Sequence, residues 1–217
     1  MKISLNRKIT SYTSVQLAIT KFIRGRSFFA KKKAITNNVL LNVGCGPNTF
    51  DNFINLDYIW GPKIDICWDI TDKPYPIKEG TLDCVFTEHC LEHIPFEKCE
   101  KNLSEFYRML KPGGTVRIVV PDGEIYLDIY QKRKQGEKIY MPYEQEGNYP
   151  TPMSRINGIF RNHGHLFIYD FETFNYLLKK VGFKDIKKES FAQGRDPSLL
   201  IDMQWRSNES LYVEASK

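Results

Sequence analysis

Residues 87–95 read TEHCLEHIP and place His89, Glu92 and His93 in the H-x-x-E-H order of one class of zinc peptidases. That chemistry needs two imidazoles one turn apart on the same helix face, with a further acidic ligand from a second helix. His89 falls where an apolar strand gives way to polar residues, and Pro95 comes two residues after His93. No acidic partner stands out. The segment therefore reads as a strand-to-turn bend that Glu92 and His93 cap or pin, and no metal is expected.

A second set of residues lies at the ends of apolar runs. Gly44 and Gly46 follow the run 39–43, and a G-x-G there lets a ligand approach the backbone because no Cβ stands in the way. Asp57 ends the run 53–57, where a carboxylate can accept both hydroxyls of a ribose. Asp69 ends 63–69, where an adenine edge would lie. Thr87 ends 81–87 with Glu88 and His89 just after it, and Asp122 follows 115–121.

These positions require elements that bring them together. Short, continuously apolar runs at 39–43, 53–57, 63–69, 81–87 and 115–121 predict buried strands, and 183–191 and 210–216 complete the set. Helices are predicted over 12–30, 96–110, near 123–135 and over 171–181. Asp170 is the expected N-cap and Gly182 the stop of the last one. Residues 140–152 are rich in Tyr, Pro and Gly and read as irregular. Strands alternating with helices predict an α/β fold: a doubly wound, mostly parallel, seven-stranded Rossmann-like sheet. No convincing helix separates the last two strands, so one of them is expected to be antiparallel. In such sheets ligands bind beyond the carboxyl ends of the strands.

Composition narrows the class. Of 217 residues 41% are hydrophobic, enough for a full core, and no apolar run approaches the ~20 residues of a membrane span. Five cysteines without a C-x-x-C pair read as reduced thiols of a cytoplasmic protein. The net charge of +5 is uneven: residues 1–38 hold nine Lys/Arg and no acid, leaving 22 bases against 26 acids elsewhere. The expected organisation is a basic amphipathic arm, residues 1–38, followed by a single domain, residues 39–217, with a lid-like insertion around 122–168. The arm has three readings: a cap on the active site, a helix on an anionic membrane at the inner membrane surface, or a cleaved targeting segment. The first is preferred, with the second as an addition.

The segments LLNVGCGPN (40–48), INLD (54–57), WDI (68–70), LDCVFTEHCLEHI (82–94), LKPGGTVRIVVPD (110–122) and HGHLFIYDFETFNYLLKKVGF (163–183) resemble the class I S-adenosylmethionine-dependent methyltransferases, closest to small bacterial type 11 members. ESLYVEA (209–215) adds to the resemblance. It implies S-adenosylmethionine as donor and S-adenosylhomocysteine as product. It also implies that Asn42, Gly44, Cys45 and Gly46 hold the methionine part, that Asp57 binds the ribose, and that Asp69 and Ile70 frame the adenine. Thr87 and Glu88 would border the sulfonium. Asn42 stands where the family usually carries an acid. Only residues 44–52 separate the first two strands, so the first crossover helix is expected to be about one turn, starting at Pro47.

Methyl transfer to a hydroxyl usually needs a base, and the candidates are His89, His163, His165 and Asp122, with His89 preferred. Arg155, Arg161, Arg195 and Arg206 suit an acidic acceptor, with Arg206 preferred and His163 beside them as a substrate-binding candidate. The expected acceptor is a small molecule or glycan, with a sugar hydroxyl in surface polysaccharide synthesis placed first. The competing readings are RNA or protein methylation through the basic arm and a non-enzymatic cofactor-binding protein. Nucleic acid is the less expected partner: the chain lacks a D/N-P-P-Y/F tetrapeptide and the arm's aromatics suit packing.

Overall fold

Residues 13–26, 39–72, 74–145, 147 and 149–217 are described by a computed structural model. One seven-stranded sheet organises them: β1 Leu40–Val43, β2 Phe53–Asp57, β3 Ile66–Cys67, β4 Leu82–Glu88, β5 Leu110–Pro121, β6 Lys184–Glu189 and β7 Ser210–Ser216. The spatial order is β3-β2-β1-β4-β5-β7-β6. β1 to β5 are mutually parallel, and β7 runs antiparallel to both β5 and β6. The strand order reverses direction between β1 and β4, so the crevice for a ligand opens past Val43 and Glu88. The helices are α1 Ser14–Ile23, α2 Phe96–Met109, α3 Gly123–Lys134, α4 Pro152–Arg161 and α5 Phe171–Val181. No helix among the described residues is long and apolar enough to cross a membrane.

Side chains alternate across the strands and feed two cores. Leu41, Val43, Val85 and Ile118 meet Leu103 and Phe106 of α2 and Phe174 and Leu178 of α5. On the opposite face Leu40, Phe53, Phe86 and Tyr212 are covered by Leu199, together with the half-buried Phe50, Phe191 and Ile201. Fully burying one such side chain is worth about 1.5–3 kcal/mol. Here a loop does what a crossover helix would otherwise do. Arg117 fixes that loop from inside the sheet. It is fully buried and donates to Asp202 Oδ1 (2.8 Å), Glu214 Oε1 (2.8 Å) and the Gln193 carbonyl (2.9 Å).

The connection 44–52 differs from expectation. It is built from turns and contains no helix. Two buried asparagines satisfy its backbone instead: Asn42 Nδ2 donates to the Asn48 carbonyl at 2.9 Å, and Asn55 both donates to the Phe50 carbonyl and accepts from the Phe50 amide. With those groups paired, nine residues close the parallel β1–β2 connection without a helical turn. β3 is shorter than the predicted 63–69, because only Ile66 and Cys67 enter the ladder. α1 is shorter than 12–30. Thr13 and Gln16 form a reciprocal cap at its start, and Arg24 leaves helical geometry at its end. Residues 1–12 and 27–38, most of the basic arm, lie outside the described residues.

α4 arises within and just beyond the stretch read as irregular. Its signal is present: Thr151 and Ser154 cap reciprocally and Pro152 takes the first turn. α3 and α4 enclose a separate small core of Tyr126, Ile129, Met141, Ile156 and Ile159.

Candidate functional site

The carboxyl ends of β1, β2 and β4 hold much of the nominated set. Gly44 and Gly46 both have positive φ, +67° and +53°. They differ in what surrounds them. A Cβ on Gly44 would lie 2.2 Å from Cys90 Sγ, so this glycine lets the turn after β4 pack on the turn after β1. A Cβ on Gly46 would meet nothing within 4 Å. The Gly46 amide donates to Asp57 Oδ2 at 2.8 Å and the Ile59 amide to Asp57 Oδ1 at 2.8 Å, which fixes the plane of the carboxylate. Asp69 accepts from both the amide and the hydroxyl of Thr71. The Ile70 carbonyl is held by Asn102 Nδ2 at 3.1 Å, and Tyr75 donates its hydroxyl proton to Asn102 Oδ1 at 2.6 Å.

Asn42, Cys45, Asn48, Phe50, Phe86, Glu88 and Met203 line a small cavity of about 10 Å³ at the switch between β1 and β4. Glu88 is half-buried, and burial raises its pKa above the ordinary carboxylate value. Its Oε1 accepts from the Met203 amide at 3.0 Å. Burial also pushes the Cys45 thiol far up, so Cys45 stays protonated. Thr87 is buried, and its Oγ1 has no hydrogen-bond partner among the described residues.

His89 leaves β4 with φ +48° and turns its ring toward β7, where Nε2 lies 2.9 Å from Ser210 Oγ. Burial, followed by the charge of Arg206, lowers its pKa to about 2. The imidazole is therefore neutral and a weak base in this arrangement. Asp122 caps α3 through the Glu124 amide and faces Lys188 at 3.1 Å. His165 sits away from the cavity, with Nδ1 2.6 Å from the Ile159 carbonyl, and His163 is exposed beside it.

The arginines separate by surroundings. Arg155 is buried and donates to the Pro142 carbonyl and the Tyr126 hydroxyl, which itself donates to Glu209. Arg161 is exposed at the end of α4. Arg195 lies by the β6 edge, near Asp185. Arg206 is half-buried, and its charge acts on Glu88, His89 and Glu209. Its guanidinium stands 4.3 Å over the ring of Trp205. Of the cavity lining, Asn42, Cys45 and Glu88 were legible in the sequence; Asn48, Phe50, Phe86 and Met203 were not. Met203 is 115 residues from Glu88, and no local pattern links them.

The described part of the arm packs beside this region. Thr20 of α1 is buried and accepts from the Trp60 amide, and Arg24 lies 3.6 Å over the ring of Tyr58, just beyond β2.

A family model described as "Methyltransferase domain" matches residues 16–188. Phosphoethanolamine N-methyltransferase 2 of Caenorhabditis elegans is 41% identical over 54 residues, 24% of this chain and 12% of that protein. The match thus takes in only a small part of that relative. A SAM-dependent methyltransferase from Archaeoglobus fulgidus has the same fold, with a TM-score of 0.52 at 17% identity over 94% of this chain and 93% of that one. Phosphoethanolamine N-methyltransferase 2 of Haemonchus contortus, solved with S-adenosyl-L-methionine, aligns at 17% identity over 94% of this chain and 52% of that one, with a TM-score of 0.45.

Proposed function

We infer the acceptor from the premise that this chain belongs to the methyltransferase-domain family and is an S-adenosylmethionine-dependent methyltransferase. The acceptor we propose is a small molecule or glycan, methylated on a sugar hydroxyl in surface polysaccharide synthesis. The observation that carries this reading is Trp205. The residue is 59% exposed, its ring lies under Arg206, and it sits two residues beyond the Met203 amide that binds Glu88. An exposed aromatic residue beside a cation suits a sugar ring with polar substituents.

The residues at the strand ends fit the donor. Gly46 presents open backbone, Asp57 is held with its carboxylate plane fixed at the end of β2, and Ile70 is fixed by Asn102 where an adenine would be framed. S-adenosylmethionine supplies an electrophilic methyl group on a sulfonium, and displacement leaves S-adenosylhomocysteine. The protein's part is to hold the acceptor oxygen in line and to take its proton; such positioning can be worth about 7–11 kcal/mol. We assign the proton to Glu88, because its raised pKa makes it a better acceptor than an ordinary carboxylate and His89 is a weak base. With the donor bound, Glu88 would take the proton of the acceptor hydroxyl, leaving that oxygen free to receive the methyl group.

RNA or protein as acceptor is the second reading, carried by the basic residues 1–38. The packing of Thr20 and Arg24 against 58–60 favours the arm as a cap instead. A cytoplasmic setting, with the arm against an anionic inner membrane surface, suits a lipid-linked glycan. The test is transfer of labelled methyl from S-adenosylmethionine to parallel panels of sugar nucleotides and oligosaccharides, small amines including phosphoethanolamine, RNA and peptides. Label in the sugar panel is expected, and Trp205→Ala should raise the acceptor KM about tenfold, or about 1.4 kcal/mol. Label confined to the amine, RNA or peptide panels would overturn the reading.

A further inference from the structure

Outside the cavity, three histidines surround one buried carboxylate. Glu92 is fully buried on the turn Leu91–His93 that follows β4. Its Oε1 lies 3.5 Å from His93 Nε2 and 4.0 Å from His165 Nε2. His93 and His165 side chains are themselves only 16% and 5% exposed, and their rings stand 5.0 Å apart, edge to face. One ligand atom from each of the three residues falls within 4.8 Å of the others.

The tautomer of His165 follows from its neighbour. A carbonyl only accepts, so Nδ1, 2.6 Å from the Ile159 carbonyl, carries the hydrogen. His165 Nε2 then faces Glu92 Oε1 across 4.0 Å. An N–H on the far nitrogen bonded to a backbone carbonyl is also the arrangement that orients a metal-binding histidine. His89 adds a further support: its Nδ1 lies 3.5 Å from the same carboxylate oxygen.

We propose that Glu92, His93 and His165 bind a zinc ion. Two imidazoles and one carboxylate form an established zinc donor set. With bonds near 2.0–2.1 Å, a tetrahedral centre spaces its ligand atoms about 3.3 Å apart. The separations of 3.5 and 4.0 Å from Glu92 Oε1 exceed that by about 0.2 and about 0.7 Å, the scale of a side-chain adjustment. This set differs from H-x-x-E-H: Glu92 is a ligand rather than a base, His89 is outside it, and the third ligand comes from the loop after α4. Methyl transfer itself needs no metal. The ion's place is between the turn after β4 and the loop after α4, already joined where the Leu166 and Phe167 amides donate to the Glu92 carbonyl. It would clip the 122–168 insertion to the sheet.

The test uses the full chain, stripped with chelator and titrated with zinc chloride alone against a competing chromophoric chelator. Metal content is read by mass spectrometry, and folding is checked by circular dichroism. One zinc per chain is expected. His93→Ala and His165→Ala, measured separately, should each weaken binding by at least about tenfold. Cobalt substituted for zinc should give the visible bands of a tetrahedral nitrogen–oxygen site without a thiolate charge-transfer band. If either variant fails to fold, the other and the cobalt spectrum decide. Failure of the folded wild-type protein to bind zinc would overturn the proposal, as would unchanged affinity in a folded variant or a thiolate band from one of the five cysteines.

Discussion

The Met203 amide donates to Glu88 Oε1 at 3.0 Å, tying the loop before β7 to the carboxyl end of β4. The same loop supplies Leu199 and Ile201 to the second core and Asp202 to Arg117. The cavity wall and the sheet's cover are therefore one segment, and the order of the site depends on the packing of residues 191–203.

Glu88→Gln separates chemistry from packing. Glutamine can still accept from the Met203 amide but cannot take a proton, so kcat should fall about 100-fold or more. The sign of the stability effect follows from the raised pKa. The folded carboxyl keeps its proton to higher pH than the unfolded one, whose value is near 4.5. Stability linked to it is complete below that value and is lost as pH rises through the folded value. The melting temperature of Glu88→Gln should thus gain on wild type between pH 4.5 and 8. A constant difference across that range would contradict the burial argument.

The two glycines after β1 should respond differently to alanine. At Gly44 the methyl meets Cys90 and φ is positive, so Gly44→Ala should lose about 3 kcal/mol or more in urea unfolding. Gly46→Ala meets no atom and carries only the left-handed backbone cost, about 1–2 kcal/mol. It should fold, yet bind S-adenosylhomocysteine more weakly in calorimetry. Equal stability losses at the two positions would remove the distinction.

Asp57→Ala removes the acceptor of the Gly46 and Ile59 amides as well as the proposed ribose contact. Hydrogen bonds to a charged group are worth about 1.5–3 kcal/mol. Affinity for S-adenosylmethionine should fall about tenfold to 100-fold by calorimetry, with the protein still folded. Unchanged affinity would place the ribose elsewhere.

Arg117→Met leaves Asp202 and Glu214 without the guanidinium between them. Breaking a buried ion pair from one side costs about 3–5 kcal/mol. Thermal unfolding should show that loss. Because Asp202 adjoins Met203, tryptophan fluorescence from Trp205 should also report a loosened loop before global unfolding. A single coincident transition would indicate that the loop and the sheet melt as one unit.

Local pattern made much of the fold legible. Residues 53–57 form β2 as predicted, because an apolar run bounded by polar residues carries its own signal. α5 runs from the Asp170 cap to Gly182 at φ +112° for the same kind of reason. The cap of α4 was equally local, Thr151, Pro152 and Ser154, but the Tyr, Pro and Gly residues just before it masked the helix period. The absence of a helix in 44–52 was not legible, because Asn42 and Asn55 replace it through bonds that only the folded β1–β2 pair brings together.

The same division runs through the site. Gly46, Asp57 and Glu88 could be nominated from sequence because each ends a strand or lies in the turn just after one, and strand ends are set by short-range alternation and turn chemistry. What lies opposite them came from the fold alone. Met203 reaches Glu88, Arg117 reaches Asp202 and His165 reaches Glu92 across long stretches of chain with no shared period. Such pairs form because the sheet's two faces must be covered and buried polar groups must find partners, and those demands exist only once the chain has closed on itself.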